Sequence, residues 1–131
     1  MLSRPRIVIF ERNAFCRALM LDLVATNDMV GLTVRSPSDL SRVGQSERLD
    51  VLVVDFDGSG REVDDLVRTA RALPEEVRPR LVAMVTSTND IARRAIDKAG
   101  VDDVIVRPID TGKFARSVKR QALLASGLAA T

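Results

Sequence analysis

Short apolar runs and helical stripes take turns along this chain. Residues 7–10 read IVIF, the length of a buried strand. Cys16, Leu19, Met20, Leu23 and Val24 then recur at the i, i+3, i+4, i+7, i+8 spacing of an amphipathic helix, with Asn13 placed to cap it. Residues 31–34 predict a weaker strand, and residues 36–46 a short helix opened by Pro37. The segment DVLVVD, residues 50–55, is the clearest strand, rich in β-branched side chains. Val63, Leu66, Val67, Ala70 and Leu73 mark a second strong helix, which Pro74 stops. Residues 81–86 form the next strand. Ser87 to Asp90 cap a helix carrying Ile91, Ala95, Ile96 and Ala99, and Gly100 stands where a C-cap glycine belongs. Val104 to Val106 make the last strand, ending at Arg107-Pro108. Phe114, Val118, Ala122 and Leu124 give the closing helix.

Strand and helix therefore alternate five times, and the strands are apolar on both faces. That combination predicts an α/β fold: an open, doubly wound, five-stranded parallel sheet with helices on both sides. Sheets of this kind work beyond the carboxyl ends of their strands, at the point where the strand order reverses. The residues that end strands are then the candidates: Glu11 and Arg12, Asp55 to Asp57, Thr86 and Ser87, and Arg107. One domain is expected over residues 4–124, with 125–131 as a flexible tail or the start of a linker.

Composition removes several classes of function. The chain has no Trp or Tyr and four Phe, so its core is aliphatic and it lacks the aromatic platforms on which single-stranded nucleic acids stack. Without His there is no histidine-based catalysis, histidine-led metal site or phosphohistidine carrier. Cys16 is alone, which rules out an internal disulfide, fits a reducing compartment and leaves core packing as its simplest role. No apolar run approaches the ~20 residues of a membrane span, and the N-terminus has no signal-peptide core, so a cytoplasmic location is expected. The formal net charge is only +2, with acids and bases interleaved. A basic stripe, Lys113, Arg116, Lys119 and Arg120, runs along the closing helix. A solvated face near a helix C-terminus explains it more simply than nucleic-acid binding does.

The strand ends carry the chemistry. Asp55 closes the most apolar strand, followed by Asp57 and the residues Gly58, Ser59 and Gly60, which leave room for a ligand. A carboxylate so placed can act as nucleophile toward a phosphoryl group, and that chemistry needs a cation and hydroxyl or backbone donors around the phosphoryl oxygens. Thr86 and Arg107 are of those types. The Gly58-Ser59-Gly60 turn alone could cradle a phosphate, but no GxGxxG or GxxxxGK[ST] pattern supports a small flavodoxin-like enzyme or cofactor-binding domain.

The blocks DVLVVDFD, LVAMVTS and KAGVDDVIVRP, taken together with their spacing, resemble the receiver domain of two-component response regulators over residues 4–124. The resemblance implies the flavodoxin-like strand order 2-1-3-4-5 and a role in phosphorelay signal transduction, not an enzyme acting on a diffusible substrate. It implies Asp55 as phosphoacceptor and Thr86 as the hydroxyl that bonds the phosphoryl group. Arg107 falls where the family places a lysine, before a proline, Pro108, whose peptide bond is typically cis. Glu11, Asp55 and Asp57 (by carbonyl or side chain) fall where the family holds Mg2+. The implied partners are a histidine kinase or phosphotransferase, and a downstream protein or a second copy met by the fourth and last helices through Arg93, Arg94, Lys98, Arg116 and Arg120.

Three departures make it an atypical receiver. Arg12 replaces the second of two metal-binding acids, so three positions that would carry three negative charges carry one, and Mg2+ would be held only weakly. Arg107 keeps a lysine's charge but spreads it over a wide planar fork. Val104 stands at a switch position that often carries Tyr or Phe, and it has no ring to rotate. Two versions fit. In one, Asp55 is still phosphorylated at a damaged metal site. In the other, a phosphorylation-independent pseudo-receiver, Arg12 supplies the positive charge and the protein signals by binding alone.

Overall fold

The computed structural model describes residues 4–57 and 60–127. Five parallel strands, β1 (Arg6–Phe10), β2 (Val30–Thr33), β3 (Val51–Asp55), β4 (Arg80–Val85) and β5 (Asp103–Val106), form one sheet in the order β2-β1-β3-β4-β5. Five helices connect and follow them: α1 (Ala14–Thr26), α2 (Pro37–Ser46), α3 (Gly60–Ala72), α4 (Asp90–Ala99) and α5 (Thr111–Ala125). This is the doubly wound parallel sheet expected from the apolar pattern, in the flavodoxin-like order that the resemblance implied. The chain leaves β1 in one direction for β2, then returns past it to β3. The strand order therefore reverses between β1 and β3, which puts the residues following those two strands on either side of the switch point.

Alternation along the strands supplies both faces of the core. Ile7, Ile9, Val51, Val53, Val82, Met84 and Ile105 pack with Met20 and Val24 of α1 and with Phe114, Val118 and Ala122 of α5. On the other face Val8, Phe10, Leu52, Val54 and Leu81 meet Leu40 of α2 and Val63, Leu66, Val67 and Ala70 of α3. Gly44 lets α2 press against α3, since a Cβ there would come within 2.8 Å of the Leu73 side chain. The caps are those the sequence offers: Asn13 accepts from the Cys16 N–H, Ser36 from Asp39 and Asn89 from Ala92, while Gly100 closes α4 at φ +64°.

Four local expectations change. Gly60 is the first residue of α3 and not part of a flexible turn; Gly58 and Ser59 lie outside the described residues. A single 3-10 turn, Glu75–Val77, follows Pro74 where no element was expected. Helix α5 runs through Ala125, one residue into the expected tail, of which residues 128–131 lie outside the described set. The stripe on α4 has the right period but little to cover: none of its residues is buried, Ile91 is 77% exposed, and of α4 only the partly buried Ala99 packs against the core. Among the described residues, no helix is long and apolar enough to cross a membrane.

Candidate functional site

The parallel ladder delivers its charged residues to one edge. Backbone bonds from Phe56 N–H to the Met84 carbonyl (2.9 Å) and from Arg107 N–H to the Val85 carbonyl (2.7 Å) carry the pairing just past the strands, so Asp57 and Arg107 start from fixed positions. Glu11 and Asp55 close the two strands that flank the switch point and are nearly buried, at 5% and 6% exposure. Two carboxylates taken from water so completely need cations or donors close by.

Arg107 supplies most of that compensation. Its Nη2 lies 2.5 Å from Glu11 Oε1 and 3.3 Å from Asp55 Oδ1, and its Nε donates to Asp57 Oδ2 at 2.8 Å. One planar fork thus bridges three acids from two strand ends, a reach that a compact ammonium would not have. Hydrogen bonds from the guanidinium to Glu11 and Asp57 outweigh burial, which alone would disfavour its charge, and hold its pKa above the ordinary arginine value. The peptide bond from Arg107 to Pro108 is cis, as the resemblance implied.

Arg12 completes the balance from the other side. Its Nη1 is 3.5 Å from Asp55 Oδ2, its Nη2 is 3.2 Å from Glu62 Oε1 in the first turn of α3, and its guanidinium carbon lies 4.9 Å from the centre of the Phe10 ring. Asp55 is therefore flanked by two guanidiniums. Glu11 is braced further by the Asn13 N–H on Oε2 (3.1 Å), and Arg17 donates to its carbonyl at 3.0 Å.

The Asp57 side chain turns toward the ends of β4 and β5. Thr86 donates to it twice, from N–H to Oδ1 and from Oγ1 to Oδ2, each at 2.8 Å, and the Asp57 N–H donates to Asp55 Oδ1 at 2.9 Å. Partial burial pushes the Asp57 carboxyl up, but the bonds from Thr86 and Arg107 prevail and hold its pKa below the usual value. Thr86, expected to serve a phosphoryl group on Asp55, is engaged with Asp57 instead.

The donor set does not fit a metal ion. Glu11, Asp55 and Asp57 each face Arg107, Asp55 also faces Arg12, and among the described residues no group of three acidic, His or Cys side chains is arranged to hold a cation. The three acids expected to hold Mg2+ weakly, Glu11, Asp55 and Asp57, are instead each paired with a guanidinium in this structure. Val104 is half-buried in β5. Arg93, Arg94, Lys98, Arg116 and Arg120 are exposed on α4 and α5, away from this cluster.

Cys16 is a second correction. It is half-buried, not core, and with Glu11, Arg12, Asn13, Asp55, Asp57 and Arg107 it lines an open depression of about 290 Å3. It stands in the first turn of α1, three residues after the capping Asn13, beside the strand ends. Sequence reasoning did not find Glu62. Its only signal was an acid in the first turn of a helix that starts next to the switch point.

No protein-family model matches the sequence, and no curated protein matches it. Solved structures do. The chain is similar to the chemotaxis response regulator CheY4 of Vibrio cholerae, with 13% identity, 91% of this chain and 99% of that one covered, and a TM-score of 0.77. It is similar to the signal receiver domain of an HD-domain-containing protein from Pseudomonas fluorescens Pf-5 (10% identity, 97% and 93% covered, TM-score 0.78). A third likeness is to the receiver domain of a sensor histidine kinase from Pseudomonas aeruginosa PAO1, which has magnesium coordinated in its active-site cleft (17% identity, 92% and 98% covered, TM-score 0.74). The chain has the fold of response-regulator receiver domains.

Proposed function

We propose that this chain is a receiver-type signalling module of the phosphorylation-independent kind, whose strand-end site is completed by arginines in place of metal. The observation that carries the reading is the flanking of Asp55 by Arg12 (3.5 Å) and Arg107 (3.3 Å). Arg12 and Arg107 thereby pair both buried carboxylates, Glu11 and Asp55, while Asp57 and Glu62 are further acids on the same two guanidiniums. In this reading the protein acts by binding, not by turning over a diffusible substrate. Arg93, Arg94 and Lys98 on α4 and Arg116 and Arg120 on α5 are its candidates for contact with a protein partner or a second copy.

A second reading keeps Asp55 as phosphoacceptor for a histidine kinase or phosphotransferase. It is favoured by the open depression that reaches Asp55, with Arg12 and Arg107 in its lining. Incubation with acetyl phosphate, with and without Mg2+, followed by intact mass, separates the two. The expected result is no adduct in either condition. An added phosphate that disappears in Asp55→Asn would overturn the first reading and establish the second.

A further inference from the structure

Asp57 is joined to its surroundings differently from the other acids of the edge. Glu11 and Asp55 neutralise arginines. Asp57 in addition accepts a matched pair of bonds from one residue, the Thr86 N–H on one oxygen and the Thr86 hydroxyl on the other, while Arg107 Nε shares the second oxygen. Two neutral donors and one cationic donor, all at 2.8 Å, converge from the ends of β4 and β5 on a single carboxylate that comes from beyond β3. Backbone N–H, hydroxyl and guanidinium are the donors that bind oxyanions in general. The Thr86 and Arg107 groups therefore make an oxyanion seat, and its occupant is part of the chain.

We infer that Asp57 is a built-in anionic ligand, filling with its own carboxylate the place where Thr86 and Arg107 would otherwise hold a separate oxyanion. This deepens the reading of a site complete without a phosphoryl group, and rests on that reading for its signalling consequence: Thr86, beside the start of α4, is kept in its anion-bound arrangement permanently. The neighbouring element gives that consequence an outlet. Helix α4 begins four residues beyond Thr86 and buries no side chain, so its position depends on the β4–α4 loop more than on the core. The charges near the seat also set how a free anion would fare in it. Glu11 and Asp55, both paired with Arg107 and Asp55 also bonded by the Asp57 N–H, oppose a second anion, while Arg107 and Arg12 favour it. Weak, millimolar-range binding is expected once Asp57 is gone, and none while it is present.

Chemical rescue tests this on the full chain. The melting temperature is followed in inorganic phosphate against chloride at matched ionic strength, for the unaltered protein, Asp57→Ala and Asp57→Ala combined with Thr86→Val. The expected outcome is no phosphate effect on the unaltered protein, a rise of about 3–5 °C for Asp57→Ala at tenfold its phosphate Kd, and loss of that rise in the double variant. An equal response in the unaltered protein, no response in Asp57→Ala, or a response that survives Thr86→Val would each overturn the inference. Should Asp57→Ala not fold, Asp57→Asn is titrated instead with the Thr86 amide resonance as readout. That resonance is expected to move with phosphate in the variant only, and equal movement or none overturns the inference. The result does not depend on whether Asp55 accepts a phosphoryl group, so it fails or succeeds separately from the mass measurement above.

Discussion

The interior of the sheet and its carboxyl edge are built from the same strands but held by different forces. Along β3, Val51 to Val54 are fully buried among aliphatic side chains, and the next residue, Asp55, belongs to a network of four carboxylates and two guanidiniums. The interior is stabilised by removal of apolar surface from water, which needs only the right volume and pattern. The edge is stabilised only if each buried charge has an oppositely charged partner, because an unpaired buried ion costs several kcal/mol. One consequence is that the interior tolerates similar residues, whereas the edge turns on single identities: an arginine at 12 and an arginine at 107.

Removing one member from each region should break the comparison in characteristic ways. Arg107→Gln leaves Glu11, Asp55 and Asp57 facing one another, and unfolding free energy is expected to fall by about 3–5 kcal/mol. Adding Glu11→Gln to it should recover part of that loss, so the double variant costs less than the sum of the singles. Leu66→Ala, in the α3 layer of the core, is expected to cost about 2–5 kcal/mol through lost burial and a cavity. It should add independently to either edge variant. Denaturant titrations of the set check this, and strict additivity of Arg107→Gln with Glu11→Gln would mean that the two side chains do not share a network.

Acid should sharpen the difference at smaller cost. Asp57 has a lowered carboxyl pKa in the folded protein, so its contribution to stability is complete above the unfolded value near 3.8 and disappears as pH falls through the lower folded value. Between neutral pH and about 4, its bonds to Thr86 are expected to persist. They open only as pH falls through the folded value, which lies below 3.8. The Thr86 amide resonance reports this, and Asp57→Asn should remove the low-pH transition.

The interior was legible in the sequence because strands covered on both faces are apolar at every position, and helices declare their buried side by period. Period alone does not say how deeply a helix is seated. The stripes of α4 and α5 look alike, yet Phe114, Val118 and Ala122 are buried and Ile91 is not. The edge was legible as residue types at strand ends, including Glu11, Arg12, Asp55, Thr86 and Arg107. Its pairings were not. Which acid an arginine meets depends on side-chain reach across strands, so the bridging of Glu11, Asp55 and Asp57 by one guanidinium, the contact of Arg12 with Glu62 and the engagement of Thr86 by Asp57 appear only in three dimensions. Cys16 was misplaced for a related reason: it lies on the buried stripe but at its first turn, where α1 faces the depression and not the core.

The central claim is that arginine stands in for metal at this edge, and Mg2+ titration by calorimetry measures it most directly. The unaltered protein is expected to show no saturable Mg2+ binding through the millimolar range, while Arg12→Asp, which turns the local balance strongly negative, should gain it. Saturable binding by the unaltered protein with an affinity equal to that of Arg12→Asp would contradict the account.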